Sequence, residues 1–231
     1  MIDKKLEVVV TTKEEAIIAQ AAGADRLEIS INPSRRGTTP DINEISGIIP
    51  VVDIPLYILI RPNQFTYECT DKEFILVTHM IEICKLTKAK GITIGFIKDG
   101  KVDKEKLQQV LNISGDLEVN FSRAVDSTIN YEEEINYLFN LKQITKIYTS
   151  GSAETVIDGA AMLKKVSKFS NKLIFSGALN IDGIEKLIDK GIEAKVYQVN
   201  SGVRDEYKYE NLISYEKCKK IKELMSDGKA W

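Results

Sequence analysis

The sequence predicts an α/β protein folded as a (β/α)8 TIM barrel, and three observations carry that prediction. Eight short runs rich in β-branched residues recur along the chain, and each is followed by a stretch with helical periodicity, the alternation expected of parallel strands joined by crossover helices. The 231 residues suit one such barrel with a single core, and no linker, low-complexity tract or charge block divides them, so residues 1–231 are read as one domain. A doubly wound open sheet is the competing architecture, and no G-x-G-x-x-G follows the first strand to favour it.

The strands are placed at Leu6–Val10, Arg26–Ser30, Leu56–Ile60, Ile92–Gly95, Leu117–Phe121, Lys146–Thr149, Lys172–Ser176 and Lys195–Val199. Helix punctuation is clearer than the strands. "TKEEAIIAQAAG" offers Thr12 as N-cap, acidic residues in its first turn and Gly23 as a stop. "TDKEFILVTHMIEICKLTKAKG" begins at Thr70 or Asp71 and is read through to Gly91. "NIDGIEKLIDKG" runs from Asn180 to Gly191, and the last helix starts at Ser214.

Composition narrows the function classes. The 32 basic and 34 acidic residues leave a net charge of -2, which gives no bias toward nucleic acid or an anionic membrane. The N-terminal "MIDKKLEVVV" lacks the apolar run of a signal peptide, and no stretch reaches the roughly 18 apolar residues of a membrane helix, so a cytoplasmic protein without a membrane partner is expected. Cys69, Cys84 and Cys218 are odd in number and widely spaced, offering neither a disulfide framework nor a Cys-x-x-Cys metal knuckle.

Charges at the strand ends are the unusual feature. In "LEVVV" and "RLEIS" strict alternation turns Glu7 and Glu28 toward the barrel interior if their apolar neighbours face the helices. A buried carboxylate requires a partner, and Arg61, after "YILI", and Arg123, after "VNF", are the expected ones. Asp126 follows Arg123 closely. Barrels bind at the carboxyl ends of their strands, so Arg61 and Arg123 are candidate anion ligands, and Glu7, Glu28 and Asp126 are candidate acid/base groups. Buried Glu–Arg pairs that merely knit the interior together are the structural alternative.

Three small-residue loops, "TSGSAE" (149–154), "SGALN" (176–180) and "NSGVR" (200–204), follow the last three strands and allow close backbone approach to an anion. They add Ser150, Gly177 and Asn200 to the candidate binding residues. No nucleophile–base pair is evident: the lone histidine, His79, lies in a helix with Met80 and Cys84, a spacing that reads as core packing, and Lys98 in "FIKDG" reads as a turn lysine. Proton transfer on a small anionic metabolite, phosphorylated metabolites included, is the chemistry these residues suggest.

The motifs also carry a family resemblance. "LEVVV", "AAGADRLEI" (21–29), "GTTP" (37–40), "LIRP" (59–62), "NFSRAVD" (120–126), "YTSGS" (148–152) and "FSGALN" (175–180) occur in an order that resembles the CutC copper-homeostasis family over residues 5–201. The resemblance implies a barrel, a cytoplasmic location, a homo-oligomer and a role in copper handling. Its charged pocket maps onto Glu7, Glu28, Arg61, Arg123 and Asp126. The chain departs from the pattern where the family carries cysteine (here Val9 and Ser30), histidine (Ser122 and Gln198) and an arginine (Asn63). Copper as a ligand is thus implied by the resemblance alone: Cu(I) prefers thiolate and thioether, Cu(II) prefers imidazole, and the site residues assign no metal ligand.

Overall fold

The computed structural model describes residues 4–226, with Arg35 and Ser226 described by their backbones alone. Strand and helix alternate as β1 (Lys5–Val10), α1 (Lys13–Ala21), β2 (Arg26–Ile29), α2 (Ile42–Ile48), β3 (Leu56–Leu59), α3 (Asp71–Lys85) and β4 (Gly91–Ile94). A small hairpin, β5 (Ile97–Lys98) and β6 (Lys101–Val102), precedes α4 (Lys104–Ile113). The chain continues through β7 (Glu118–Phe121), α5 (Tyr131–Asn140), β8 (Ile144–Thr149), α6 (Ala160–Lys165), β9 (Leu173–Ser176), α7 (Ile181–Asp189), β10 (Val196–Val199) and α8 (Tyr215–Ser226). Eight parallel strands close in the order β1-β10-β9-β8-β7-β4-β3-β2, which is the expected (β/α)8 barrel.

Helix starts follow the caps read from the sequence. Thr12 Oγ1 accepts from Glu15 N, Asn180 Oδ1 accepts from Gly183 N, and Thr70 and Glu73 form a reciprocal capping box. Each such cap contributes about 1 kcal/mol. One boundary differs: α3 ends at Lys85, not Gly91. Thr87 Oγ1 donates to the Cys84 carbonyl and accepts from Ala89 N, turning the chain away, and Gly91 instead opens β4. The β5–β6 hairpin was not anticipated; it places Lys98, as expected, beside a turn, at Asp99–Gly100.

Alternation along each strand divides the molecule into two layers. Residues such as Leu6, Val8, Leu27, Ile58, Ile92 and Phe121 face the helices and form one continuous apolar core with Ala16, Ile45, Ile81 and Leu107. Inside the barrel apolar side chains are fewer: Tyr148, Ile174 and Val196 form a small separate cluster, and Val9, Tyr57 and Leu59 are buried apart from the outer core. The remaining interior is polar: Glu7, Arg26, Glu28, Thr93, Asn120 and Gln198 are all buried. Buried polar groups need partners, so this interior network, rather than the apolar annulus, determines what the mouth of the barrel can do. Among the described residues no helix is long and apolar enough to cross a membrane.

Candidate functional site

The inward turn of Glu7 and Glu28 is observed, but their partners are different from those expected. Glu7 is ion-paired to Arg26 Nε, the residue opposite it in the β1–β2 register. The Arg26 guanidinium stacks 3.6 Å above the Tyr57 ring, and Tyr57 in turn donates to Glu118 Oε2 at 2.7 Å. Gln198 joins the two carboxylates, donating from Nε2 to Glu7 Oε1 (2.9 Å) and to Glu28 Oε2 (2.8 Å). The expected Glu–Arg61 and Glu–Arg123 pairing is therefore corrected. Register puts Arg26 beside Glu7, whereas Arg61 and Arg123 lie beyond the ends of β3 and β7, further along the barrel axis.

Arg123 begins a 3-10 turn after β7 and is held on several sides. Its Nε donates to Asp126 Oδ2 at 3.1 Å, and Nη2 donates to Ser150 Oγ at 2.6 Å and to the carbonyls of Ala153 and Glu154 at 3.0 Å each. Asp126 also accepts from Thr149 Oγ1, Ser150 N, Ser150 Oγ and Ser152 N. A carboxylate with five donors is a brace for Arg123 and its loop. Gly177 permits this arrangement: it sits at φ +134, and a Cβ there would lie 3.0 Å from the Arg123 guanidinium.

Arg61 follows β3. Its backbone N donates to Thr39 Oγ1 at 2.8 Å, Nη1 donates to the Gly37 carbonyl at 3.0 Å, and the guanidinium lies 4.4 Å from the Tyr67 ring centre. Burial lowers its pKa, Tyr67 opposes this, and nearby Arg36 adds to the lowering.

These groups surround a cavity of about 220 Å3 at the carboxyl ends of the strands. Of the residues expected to form a site, Glu28, Arg61, Arg123, Gly177 and Asn200 line it. Glu7, Asp126 and Ser150 lie behind the lining: Glu7 and Ser150 are fully buried, and Asp126 faces Arg123 and the β8 loop. The sequence reading missed Arg26, Arg36, Tyr67, Thr93 and Tyr148. Arg26 was within its reach, because the alternation that turns Glu28 inward also turns the residue two positions earlier.

Glu28 is the group whose ionisation the site alters most usefully. Burial, then the charge of Glu7, pushes its carboxyl from 4.5 up to about 7, while the nearby Thr93 hydroxyl, the Gln198 amide and the Arg26 charge oppose the rise. A carboxyl poised near neutrality at the floor of a cavity can both take and return a proton at physiological pH. Cys69, Cys84 and Cys218 are pushed up to about 11, 12 and 12 by burial, and none lines the cavity. His79 is exposed on α3 while Cys84 is fully buried, in keeping with the core-packing reading of that spacing.

A closed parallel barrel with a charged cavity at the carboxyl ends of its strands defines the class: a (β/α)8 barrel whose cavity lies at the end where such barrels bind. Within that class the CutC family model matches residues 4–201, and the chain belongs to the CutC family. CutC family proteins of Yersinia enterocolitica and Photorhabdus laumondii are each 30% identical to it, over 193 and 191 residues, covering 81% of this chain and 76% and 77% of theirs. Among solved structures, the CutC protein of Streptococcus agalactiae, which bears a copper-homeostasis name, superposes with a TM-score of 0.76 at 20% identity over 86% of this chain and 98% of that one. Phosphoribosyl anthranilate isomerase of Thermotoga maritima gives 0.65 at 13% identity over 96% and 98%. Both likenesses speak to the fold.

Proposed function

We propose that this barrel binds a small anionic metabolite in its mouth and exchanges a proton with it through Glu28, with Arg61 and Arg123 countering the ligand's charge. The observation that carries the reading is a buried carboxyl, raised to about 7, at the floor of a cavity whose walls hold the guanidinium groups of Arg61 and Arg123. A cavity of about 220 Å3 is below the ~300–1,000 Å3 of drug-sized clefts, which points to a small substrate. Glu7 and Asp126, advanced with Glu28 as acid/base candidates, serve as supports: Glu7 raises the Glu28 pKa, and Asp126 fixes Arg123. Gln198 uses both amide hydrogens, one on Glu7 Oε1 and one on Glu28 Oε2, and so holds the Glu28 carboxyl in place. A thermal-shift screen of phosphorylated and carboxylated metabolites tests this. A stabilising ligand should lose its effect on Arg123→Ala; a ligand that stabilises both forms equally is not using this site.

Family membership favours a second reading, copper handling. The positions at which the resemblance expects thiol or imidazole, Val9, Ser30, Ser122 and Gln198, all line the cavity, and they offer a methyl pair, hydroxyls and an amide. Those donors do not suit Cu(I) or Cu(II), and among the described residues no group of three His, Cys, Asp or Glu side chains could hold a metal ion. The anion reading leads for that reason. Stoichiometric Cu(I) uptake against a competing chelator would reverse the order.

A cytoplasmic setting and self-assembly go with either reading. What supports assembly is α3: opposite its core-facing Phe74, Val77, Ile81 and Cys84 it exposes Ile75 and Leu76, with exposed Leu86 at its C-cap. An exposed apolar patch of this kind suits burial against a second copy of the same face. Light scattering should give a dimer for the wild type and a monomer for Leu76→Asp.

A further inference from the structure

Two loops meet across the top of the cavity. Arg36, between β2 and α2, pairs through Nη2 with Glu154 Oε2, between β8 and α6, at 2.7 Å. β2 and β8 lie four places apart around the eight-stranded barrel, so this contact spans the mouth from one side to the other. Both residues line the same cavity as Glu28, Arg61 and Arg123.

Each end of the contact is tied to one of the cavity arginines. Arg36 at φ +64 and Gly37 at φ +76 form a turn whose Gly37 carbonyl accepts from Arg61 Nη1. A Cβ on Gly37 would meet Leu59 Cδ2 at 2.7 Å, so the turn is pressed closely onto β3. On the other side the Glu154 carbonyl accepts from Arg123 Nη2. The pair itself is open to solvent, with 45% of the Arg36 and 75% of the Glu154 side chain exposed. Exposed ion pairs contribute little to stability, so an anion arriving in the cavity competes easily for the Arg36 guanidinium.

We propose that Arg36 and Glu154 form a latch over the cavity, and that Arg36, released from Glu154, is a third anion ligand; the site is thereby matched to a molecule bearing two separate anionic groups, such as a phosphorylated carboxylic acid. One group meets Arg123 on the β7 side. The other meets Arg36 and Arg61 on the β2–β3 side. This rests on the anion-binding reading of the same cavity, and the test separates the two.

Titration calorimetry on the full chain compares inorganic phosphate, a single anion, with 2-phosphoglycolate, which carries two. Arg36→Ala should weaken 2-phosphoglycolate about tenfold, the loss expected for a charge-assisted hydrogen bond, and leave phosphate unchanged. Glu154→Gln, which keeps the side chain's size and removes its charge, should tighten 2-phosphoglycolate severalfold and speed its association. If both probes depend on Arg123 but neither responds to Arg36→Ala or Glu154→Gln, the latch is wrong and the cavity reading stands. Equal weakening of both probes by Arg36→Ala overturns the two-group assignment. If neither probe binds the wild type, the two-group assignment falls, and a metabolite screen with no stabilising ligand removes the cavity reading as well.

Discussion

Gln198 donates one amide hydrogen to Glu7 and the other to Glu28, so a single neutral side chain ties the two inward carboxylates of the barrel together. Its own orientation is fixed by Ser176 Oγ, which donates to Gln198 Oε1. Removing this tie should act on both stability and ionisation. Gln198→Leu leaves two buried carboxylates short of a donor each, a loss of about 3 kcal/mol in urea unfolding. It also takes away a donor that favours the charged form of Glu28, so the Glu28 titration should move above about 7. Carboxyl-carbon NMR of the variant checks the direction; an unchanged or lower value contradicts it.

The raised pKa of Glu28 gives the fold a pH dependence of definite sign. Unfolded, the carboxyl titrates near 4.5; folded, it titrates near 7, so between those values the folded state holds more protons. Stability from this group is complete below about 4.5 and declines as pH rises toward 7. Glu28→Gln imitates the protonated form and removes that decline. The variant should match the wild type near pH 4 and exceed it at pH 8, by up to about 3 kcal/mol from the size of the shift. Denaturation midpoints of both proteins across pH 4–8 provide the comparison, and parallel curves would rule out a raised carboxyl at this position.

The sequence made the inward carboxylates legible because period-two alternation needs only neighbours: Leu6 and Val8 flank Glu7, and Leu27 and Ile29 flank Glu28. Partnership was not legible, because it depends on how adjacent strands are staggered. The β1–β2 register brings Arg26 opposite Glu7, and nothing in the spacing of either segment encodes that offset. Arg123 and Asp126 illustrate the opposite case. Three residues apart, they are folded onto each other by a local 3-10 turn, so proximity in the chain was a sufficient guide. The Arg36–Glu154 contact joins residues 118 positions apart on opposite sides of the barrel, and only closure of the sheet brings them together.

The Glu7–Arg26 pair offers a test of whether the polar interior stabilises the barrel or only specifies it. Burial works against the Arg26 charge, but Glu7, Tyr148 and Tyr57 outweigh it and raise the pKa, so the guanidinium stays charged. Arg26→Met should cost about 3–5 kcal/mol because it leaves a buried, unpaired carboxylate. Adding Glu7→Gln should recover most of that loss, since the double variant buries no net charge at the pair. Urea midpoints at constant slope measure the cycle, and a double variant no more stable than Arg26→Met would show that packing against Tyr57, rather than charge, is what Arg26 provides.

Gly177 connects backbone conformation to the position of Arg123. At φ +134 an L-residue is strained by about 1–3 kcal/mol, and the Cβ of Gly177→Ala would lie 3.0 Å from Arg123 Cζ and Nη1 and 3.2 Å from Ser150 Cβ. Of these neighbours the guanidinium is the one that can move. Its displacement breaks the bonds from Nη2 to the Ala153 and Glu154 carbonyls, so binding should suffer in protein that is still folded. Gly191→Ala is the control, because Gly191 also has a positive φ, +65, but has nothing within 4 Å of the added carbon. Both substitutions should lower the melting temperature, and only Gly177→Ala should abolish the shift produced by an anionic ligand. Equal ligand responses from the two variants would mean that Arg123 does not need its present position to bind.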